Sequence, residues 1–140
     1  MLPLGTAMQD TGAASYLADQ VMLLLGDAGP WPVIAGLYVL TAMATMIIPT
    51  AALVVLMSPI VLSAMGEMGY APETAMMAIA MAASASFTSP ISHPANILVM
   101  GPGGYRFVDY IKVGVPLTIV VFITVMIVLP LLWPLVPVSP

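Results

Sequence analysis

Three long stretches without a charged residue constrain this chain more than any other feature. No Asp, Glu, Lys or Arg occurs between Asp27 and Glu67, between Glu73 and Arg106, or after Lys112. A helix that crosses a bilayer needs roughly 20 apolar residues, and each stretch is longer than that. A soluble domain carries about 25% charged residues, whereas this chain carries 6% and is 61% hydrophobic. The sequence therefore predicts an all-α integral membrane protein.

Composition also excludes several classes of function. The chain has no cysteine, so it has no disulfide, thiol nucleophile or thiolate metal site. Its two basic residues are too few for a nucleic-acid-binding surface. We find no catalytic signature, and the glycine-rich turn at residues 101–104 lacks the lysine of a phosphate-binding loop. We therefore expect neither an enzyme nor a nucleic-acid-binding protein, and no cofactor beyond an ion.

Residues 31–66 contain the first break in the helical pattern. One straight helix over this segment would be about 54 Å long, far more than the ~30 Å hydrocarbon core. The chain must turn, and Pro49 is the proline that ends the first arm, near Ile48. The turn carries no charge and none of the residues usual in a turn that reaches water. We predict a re-entrant helical hairpin whose tip stops inside the membrane. Two short spans joined by an apolar turn are the alternative.

Residues 74–104 contain the second break and are predicted to form a broken transmembrane helix. A helix that begins near Thr74 reaches residue 84 after about 15 Å, close to the bilayer centre. Two prolines stop it there, and a short apolar piece then continues to the glycine-rich turn. The centre of this segment is rich in hydroxyl groups and uncharged. Its candidate functional residues are Ser84, Ser86, Thr88, Ser92, His93 and Asn96.

The two ends of the chain give simpler predictions. Residues 5–27 are expected to be helical with an interruption at Thr11-Gly12, and a turn follows at residues 26–30. Residues 113–134 are predicted to form the last transmembrane helix, after a short amphipathic stretch that carries Arg106 and Lys112. Because these are the chain's basic residues, we expect their loop to be cytoplasmic and the protein to be multi-pass in the inner (plasma) membrane.

Each break places two helix ends near the middle of the membrane, and this predicts a binding site. Free carbonyl groups beside hydroxyl groups suit a small hard cation such as Na⁺, whereas free amide groups suit an anion. Secondary transporters use this construction in inverted repeats. Any single hydroxyl here is better interpreted as bonded to its own helix, but the cluster is interpreted as functional. His93 has two interpretations: it contacts an anion or relays a proton, or it caps the loop backbone as a neutral ring.

The residues of the second break also resemble a known family. The run from Ser84 to Asn96, followed by residues 101–117, is similar to the C-terminal signature of the divalent anion:sodium symporters. These are sodium:sulfate and dicarboxylate permeases with a citrate-transporter-like domain. The resemblance extends back to residues 4–8 and 11–13, and so covers nearly the whole chain. It implies two inverted repeats, a homodimer and an elevator movement, with residues 1–140 as a partial domain that supplies most of the second repeat.

Individual positions both match and depart from the family pattern. Pro90, Pro94 and Asn96 match the family's loop motif, whereas His93 stands where the family has threonine. The Ser-Asn-Thr motif of the hairpin tip falls on residues 49–51, where one hydroxyl group remains. With these departures, the chain more closely resembles a bacterial branch of the family. In that branch the domain is joined to cytoplasmic regulatory domains, and the substrates include sulfate.

The predicted function is sodium-coupled symport of sulfate or of a di- or tricarboxylate, as part of a larger permease. Expected partners are membrane lipid, a small anion, the missing N-terminal repeat and a second copy of the permease. A non-transporting membrane subunit that binds a partner through apolar faces, and an inactive fragment of a split permease gene, are the alternatives. The predicted ion- and substrate-binding residues are Thr50, Ser84, Ser86, Thr88, Ser92, His93 and Asn96, with Na⁺ expected at Ser84, Ser86, Thr88, Ser92 and Asn96.

Overall fold

The computed structural model describes residues 3, 6, 7 and 10–138. In that part of the chain we find no strand, only one isolated antiparallel bridge, so the all-helical prediction is confirmed there. The family-like residues Leu4, Gly5 and Met8 lie outside it. The helices are α1 (Ala13–Leu25), α2 (Pro30–Ala44), α3 (Thr50–Met68), α4 (Glu73–Ser84), α5 (Pro94–Met100) and α6 (Phe107–Leu132), with a 3-10 turn at Gly26–Ala28.

Glycines mark two of the helix boundaries. Gly12 precedes α1 with a φ of 72°, which confirms the predicted interruption at Thr11-Gly12. Gly69 follows α3 with a φ of 73° and ends that helix. A side chain with a Cβ rarely adopts this backbone conformation, whereas glycine does so at little cost. The loop after α3 is therefore shorter than predicted, because the helix includes residues 66–68.

The first arm of the predicted hairpin ends earlier than expected. We predicted an end near Ile48, but α2 ends at Ala44 and residues 45–49 form an irregular turn. The Ala44 carbonyl accepts hydrogen bonds from the amides of both Ile47 and Ile48, which closes a tight turn instead of continuing the helix. Thr45 also donates its hydroxyl proton to the Ala42 carbonyl at 2.6 Å. The helix therefore ends several residues before Pro49, and not at the residue that directly precedes it.

The last helix begins earlier than predicted. It starts at Phe107 rather than Val113, so the expected amphipathic stretch is its first part. A capping interaction explains the difference, because the Asp109 carboxylate accepts a hydrogen bond of 2.8 Å from the Arg106 amide. An acid in the first turn also interacts favourably with the helix dipole.

The hydrophobic core lies where α2, α3 and α4 meet, and α6 covers one side of it. The rings of Tyr38 of α2 and Phe122 of α6 pack at 56° to each other, with their centres 5.1 Å apart. Only 11% of the most apolar stretch of α6 is buried inside the molecule, whereas 44% of the corresponding stretch of α3 is buried. A helix with this much exposed apolar surface needs lipid or protein around it. The main core residues are Val33, Ile34, Leu37, Leu53, Ile60, Val61, Met65, Ala75, Ala78, Ile79 and Ala82.

Among the described helices, α3 and α6 are long and apolar enough to cross a membrane. With 19 and 26 residues, they are about 28 and 39 Å long at 1.5 Å per residue. The other arm of the hairpin, α2, is shorter, with 15 residues. Over the described residues the chain is thus apolar and helical, with interruptions at residues 45–49 and 85–93.

The segment after α6 is attached to the loop between α3 and α4. The Ala71 amide donates to the Val136 carbonyl at 3.0 Å, and the Val138 amide donates to the Gly69 carbonyl at 2.9 Å. Tyr70 and Pro137 face each other between these bonds as an antiparallel pair. The end of α6 and the α3–α4 loop therefore lie on one side of the molecule.

This pairing can be tested with a disulfide. Tyr70 and Pro137 form a pair without hydrogen bonds of its own, in which Cα atoms are about 4.5 Å apart. That distance is within the range of a disulfide, and the chain has no native cysteine. We expect the Tyr70→Cys/Pro137→Cys variant to form an intramolecular disulfide on mild oxidation, seen as reductant-sensitive gel mobility and a mass decrease of about 2 Da. The two single variants are the controls, and a double variant that keeps both thiols contradicts the pairing.

Candidate functional site

The two helix breaks lie against each other and exchange hydrogen bonds. Thr50, the first residue of α3, donates its hydroxyl proton to the Ala83 carbonyl near the end of α4 at 3.3 Å. In the opposite direction, Ser92 donates its hydroxyl proton to the Thr45 carbonyl just after α2. The last carbonyl groups of a helix have no partner within it. Each break therefore supplies a hydroxyl donor to the carbonyl end of the other helix.

Asn96 closes the loop of the second break on itself. Its side-chain nitrogen donates to the Ser86 carbonyl at 3.2 Å and to the Ser89 carbonyl at 3.3 Å. The backbone carbonyl of Asn96 accepts a hydrogen bond of 2.8 Å from the Tyr110 hydroxyl of α6. A single amide group thus holds two carbonyl oxygens of the unwound segment close together. Oxygens gathered in this way are suited to bind a cation.

The last helix packs directly on this loop through a glycine. A Cβ atom placed on Gly114 would lie 2.5 Å from the Phe87 carbonyl oxygen and 2.6 Å from the Thr88 Cα. Only glycine permits two backbones to approach this closely. Beside this contact, the hydroxyl groups of Thr88 and Thr118 are 3.4 Å apart. The helix α6, which is continuous from Phe107 to Leu132, is therefore the support against which the broken helix is held.

Four hydroxyl side chains at the breaks are withdrawn from the surface. Thr45, Ser86, Ser89 and Ser92 are between 1% and 5% exposed. Buried polar groups need hydrogen-bond partners, and the neighbouring carbonyl groups provide them. Among the predicted site residues, Asn96 contacts the Ser86 carbonyl across the second break, and Ser92 contacts the end of α2. Thr50 lies against the end of α4, and Thr88 lies against Thr118 of α6.

Ser84 and His93 are placed differently from the other predicted site residues. Ser84 is exposed and donates to the Ala80 carbonyl at 2.8 Å, one turn back in its own helix. His93 is exposed and caps α5, because its Nδ1 accepts a hydrogen bond of 3.2 Å from the Ala95 amide. A neutral ring that accepts at Nδ1 carries its proton on Nε2. Ser84 thus shows the back-bonded geometry and His93 the capping geometry weighed above, and their predicted part in binding stays a prediction.

Sequence reasoning did not single out several residues that build the site. Thr45 lies four positions before Pro49, and its carbonyl receives the Ser92 hydroxyl. Ser89 belongs to the polar run, but Asn96 contacts its backbone carbonyl group rather than its hydroxyl group. Gly114 and Tyr110 belong to α6, which looked like a plain span. A small residue within an apolar helix was the available signal for Gly114, whereas a carbonyl acceptor leaves no mark in the sequence.

Apolar helices with two interruptions that meet at a buried polar cluster are typical of membrane transport proteins. Comparison with known proteins agrees. A family model described as citrate transporter matches residues 1–139. The uncharacterized transporter YfbS of Escherichia coli (strain K12) is 42% identical over 134 residues, which cover 96% of this chain and 22% of that protein. The chain therefore belongs to the citrate transporter family, and the resemblance found in its residues is confirmed.

More distant relatives are also named as transporters, and some of these names include an ion and a substrate. Sodium/sulfate cotransporter 1 of Chlamydomonas reinhardtii is 28% identical over 111 residues, which cover 79% of this chain and 13% of that protein. An uncharacterized transporter of Synechocystis is 38% identical over 120 residues, which cover 86% of this chain and 20% of that protein. The names of these relatives are those of transporters rather than enzymes. The chain spans about a fifth of the length of the first two curated relatives that it matches.

Substitution of Gly114 tests the close contact between α6 and the loop. Gly114→Ala adds a Cβ that meets backbone atoms, which cannot move aside as a flexible side chain can. We expect it to lower the free energy of unfolding by about 1–3 kcal/mol, the usual cost of overpacking. The matched control is Gly66→Ala, also in a helix, where a Cβ meets nothing within 4 Å. Thermal unfolding in detergent measures both, and an equal effect of the two substitutions argues against the contact.

Removal of the Ser92 hydroxyl tests the exchange between the breaks. Ser92→Ala leaves the Thr45 carbonyl without this donor in a buried place, which we expect to cost about 1–3 kcal/mol of stability. Ser84→Ala is the control, because its exposed hydroxyl bonds only within its own helix, and its effect should stay within about 0.5 kcal/mol. The same unfolding assay applies, and a Ser92→Ala protein as stable as Ser84→Ala contradicts the exchange.

Proposed function

We propose that this chain is the second inverted repeat of a sodium-coupled anion symporter and works as part of a longer permease. The observation that supports this most is the hydrogen-bond exchange between the two breaks, made by Thr50 with Ala83 and by Ser92 with Thr45. This exchange brings the helix ends of the two breaks together in one polar region. In secondary transporters such a place binds substrate and coupling ion together.

The cation site of this proposal uses the carbonyl oxygens that now accept from side chains. The carbonyl groups of Ser86 and Ser89 accept from the Asn96 amide, and that of Thr45 accepts from the Ser92 hydroxyl. A Na⁺ ion would take the place of these hydrogens between the same oxygens. The hydroxyl groups can then rotate and present their lone pairs to the ion, because a hydroxyl group is both donor and acceptor.

The anion site of this proposal lies at the start of α3. This helix has 19 residues and begins at Thr50, directly after Pro49. The first amides of a helix together carry roughly half a positive charge, which favours an anion. The second break offers fewer free amide groups to an anion, because the Ala95 amide is already bonded to the His93 ring. The His93 Nε2–H and the Thr50 hydroxyl are the side-chain donors that we assign to the anion.

The arrangement in the membrane is part of the same proposal. Arg106 and Lys112 lie at the beginning of α6, whereas the segment bonded to the α3–α4 loop follows its end. Because α6 is about 39 Å long, these two regions would face opposite sides of the bilayer. The positive charges favour a cytoplasmic start of α6 in the inner membrane. We also propose that residues 31–66 form a re-entrant hairpin and that the complete permease is a homodimer.

Sulfate is the first substrate to test, since the names of several relatives include sodium/sulfate cotransport. Di- and tricarboxylates come second, because the matching family model is described as citrate transporter. All of them carry at least two negative charges, and the chain places no acidic residue within the second break. A site formed by amide and hydroxyl donors suits such anions.

Transport by the full-length protein in proteoliposomes tests the proposal. We expect uptake of labelled sulfate, succinate or citrate that requires Na⁺ and is lost when K⁺ replaces it. Asn96→Ala should reduce uptake at least about tenfold, because it releases two carbonyl groups of the site. Thr124→Ala, on an exposed and self-bonded side chain of α6 outside the proposed site, should stay near wild type and serves as the control.

Two results would overturn different parts of this proposal. Wild-type uptake by a folded Asn96→Ala protein refutes the assignment of the site but not the transport function. Absence of uptake for every anion by a folded wild-type protein, with or without Na⁺, refutes transport itself. In that case a bulky replacement such as Ser86→Leu should leave the protein's cellular role intact, as a non-transporting subunit requires.

A further inference from the structure

A cavity of about 430 Å³ lies between α5 and the start of α6, next to the second break, and Asn96 and Phe87 are among the residues that line it. The side chains that line it change in character along α6. Tyr105 immediately precedes the helix, Asp109 and Tyr110 belong to its first turn, and Val113 and Leu117 lie one and two turns further along. The cavity therefore has a polar, aromatic end towards the start of α6 and an apolar end deeper along the helix.

Two tyrosine rings in fixed positions form the aromatic end. The ring centres of Tyr105 and Tyr110 are 6.1 Å apart, with the rings at 73° to each other. Tyr105 lies over the turn before α6, where a Cβ on Gly103 would collide with its ring at Cε2. Tyr110 is held by its hydrogen bond to the Asn96 carbonyl. Rings held at this angle offer both a face and an edge to a bound group.

Asp109 gives the cavity a negative charge. Its Oδ2 atom accepts the hydrogen bond from the Arg106 amide, and no basic residue is among the described residues that line the cavity. A carboxylate beside the faces of aromatic rings binds organic ammonium groups, through charge and through cation–π attraction. An anion such as the proposed transport substrate would be repelled. The chemistry of this cavity is thus opposite to that of the proposed anion site.

The position of the cavity favours a lipid over a free amine. It lies at one end of an apolar helix that is long enough to span the bilayer, where lipid headgroups and tyrosine side chains meet. The apolar Val113 and Leu117 continue from it in the direction of the acyl chains. Arg106 is exposed and immediately precedes α6, three positions before Asp109, so the start of this helix also carries a cation. A headgroup with an ammonium and a phosphate matches both charges.

We propose that this cavity binds the headgroup of an aminophospholipid of the phosphatidylethanolamine type. The primary ammonium donates to the free positions of the Asp109 carboxylate and rests against the rings of Tyr105 and Tyr110. The phosphate group pairs with Arg106. Because Tyr110 also bonds to the backbone of Asn96, the lipid stabilises the support of the second break. The inference requires only that the chain lies in a membrane, and does not depend on the transported anion or ion.

Native mass spectrometry of the full-length protein tests this binding. The protein is equilibrated with vesicles of phosphatidylethanolamine and phosphatidylglycerol, or of phosphatidylcholine and phosphatidylglycerol, and the retained lipid is counted. We expect a preference for phosphatidylethanolamine over phosphatidylglycerol. Asp109→Asn should weaken it about tenfold or more, since the charge is lost while an oxygen remains to accept from the Arg106 amide. Tyr105→Leu should weaken it by a smaller factor of about three to ten.

Two matched controls lie away from the cavity, one near the end of α3 and one in α1. Glu67→Gln removes an exposed carboxylate near the end of α3, and Tyr16→Leu removes an exposed tyrosine of α1. Both should retain phosphatidylethanolamine as the wild type does. Equal retention of the lipids by the wild type, or unchanged preference in a folded Asp109→Asn protein, overturns the proposal. Displacement of the lipid by millimolar free ethanolamine overturns the assignment to a lipid and leaves a site for a soluble amine.

Discussion

Each helix that is interrupted inside this molecule faces the same difficulty, which is the fate of its last carbonyl groups. In water they would be solvated, but in an apolar interior each unpaired group costs several kcal/mol. Here the two interruptions solve this difficulty for each other. Ser92 of the second break donates to Thr45 at the end of α2, and Thr50 of the first break donates to Ala83 in the last turn of α4. Neither interruption is satisfied in this way without the other.

This mutual dependence explains other features of the fold. The unwound loop at residues 85–93 must lie close to the end of α2, so something has to hold it there. The continuous helix α6 does so, and Gly114 permits the required contact with Phe87. The Asn96 amide then draws the loop carbonyls together from inside. The polar cluster is therefore supported by one continuous helix, while the core formed by α2, α3 and α4 fixes the helices that end at it.

Part of this arrangement was accessible from the sequence. Proline and glycine positions predicted the interruptions, and charge-free stretches predicted the membrane, because both follow from local rules about the backbone and the bilayer. The end of α2 and the start of α6 were wrong by several residues, since they depend on hydrogen bonds of Ala44 and Asp109 that form only in the folded chain. Likewise, nothing local distinguishes the exposed Ser84 from the buried Ser86 two positions later.

The same dependence bears on how such a site can switch. In the proposed function, the Thr45 carbonyl accepts a hydrogen bond that joins the two breaks and is also an oxygen of the cation site, so ion binding and this contact would be linked equilibria. Each internal hydrogen bond has a net worth of only about 0.5–1.5 kcal/mol. An ion that coordinates several of these oxygens at once can replace such bonds without a large cost. On this proposal, the two breaks hold each other through bonds that are weak enough to be exchanged for contacts with a ligand.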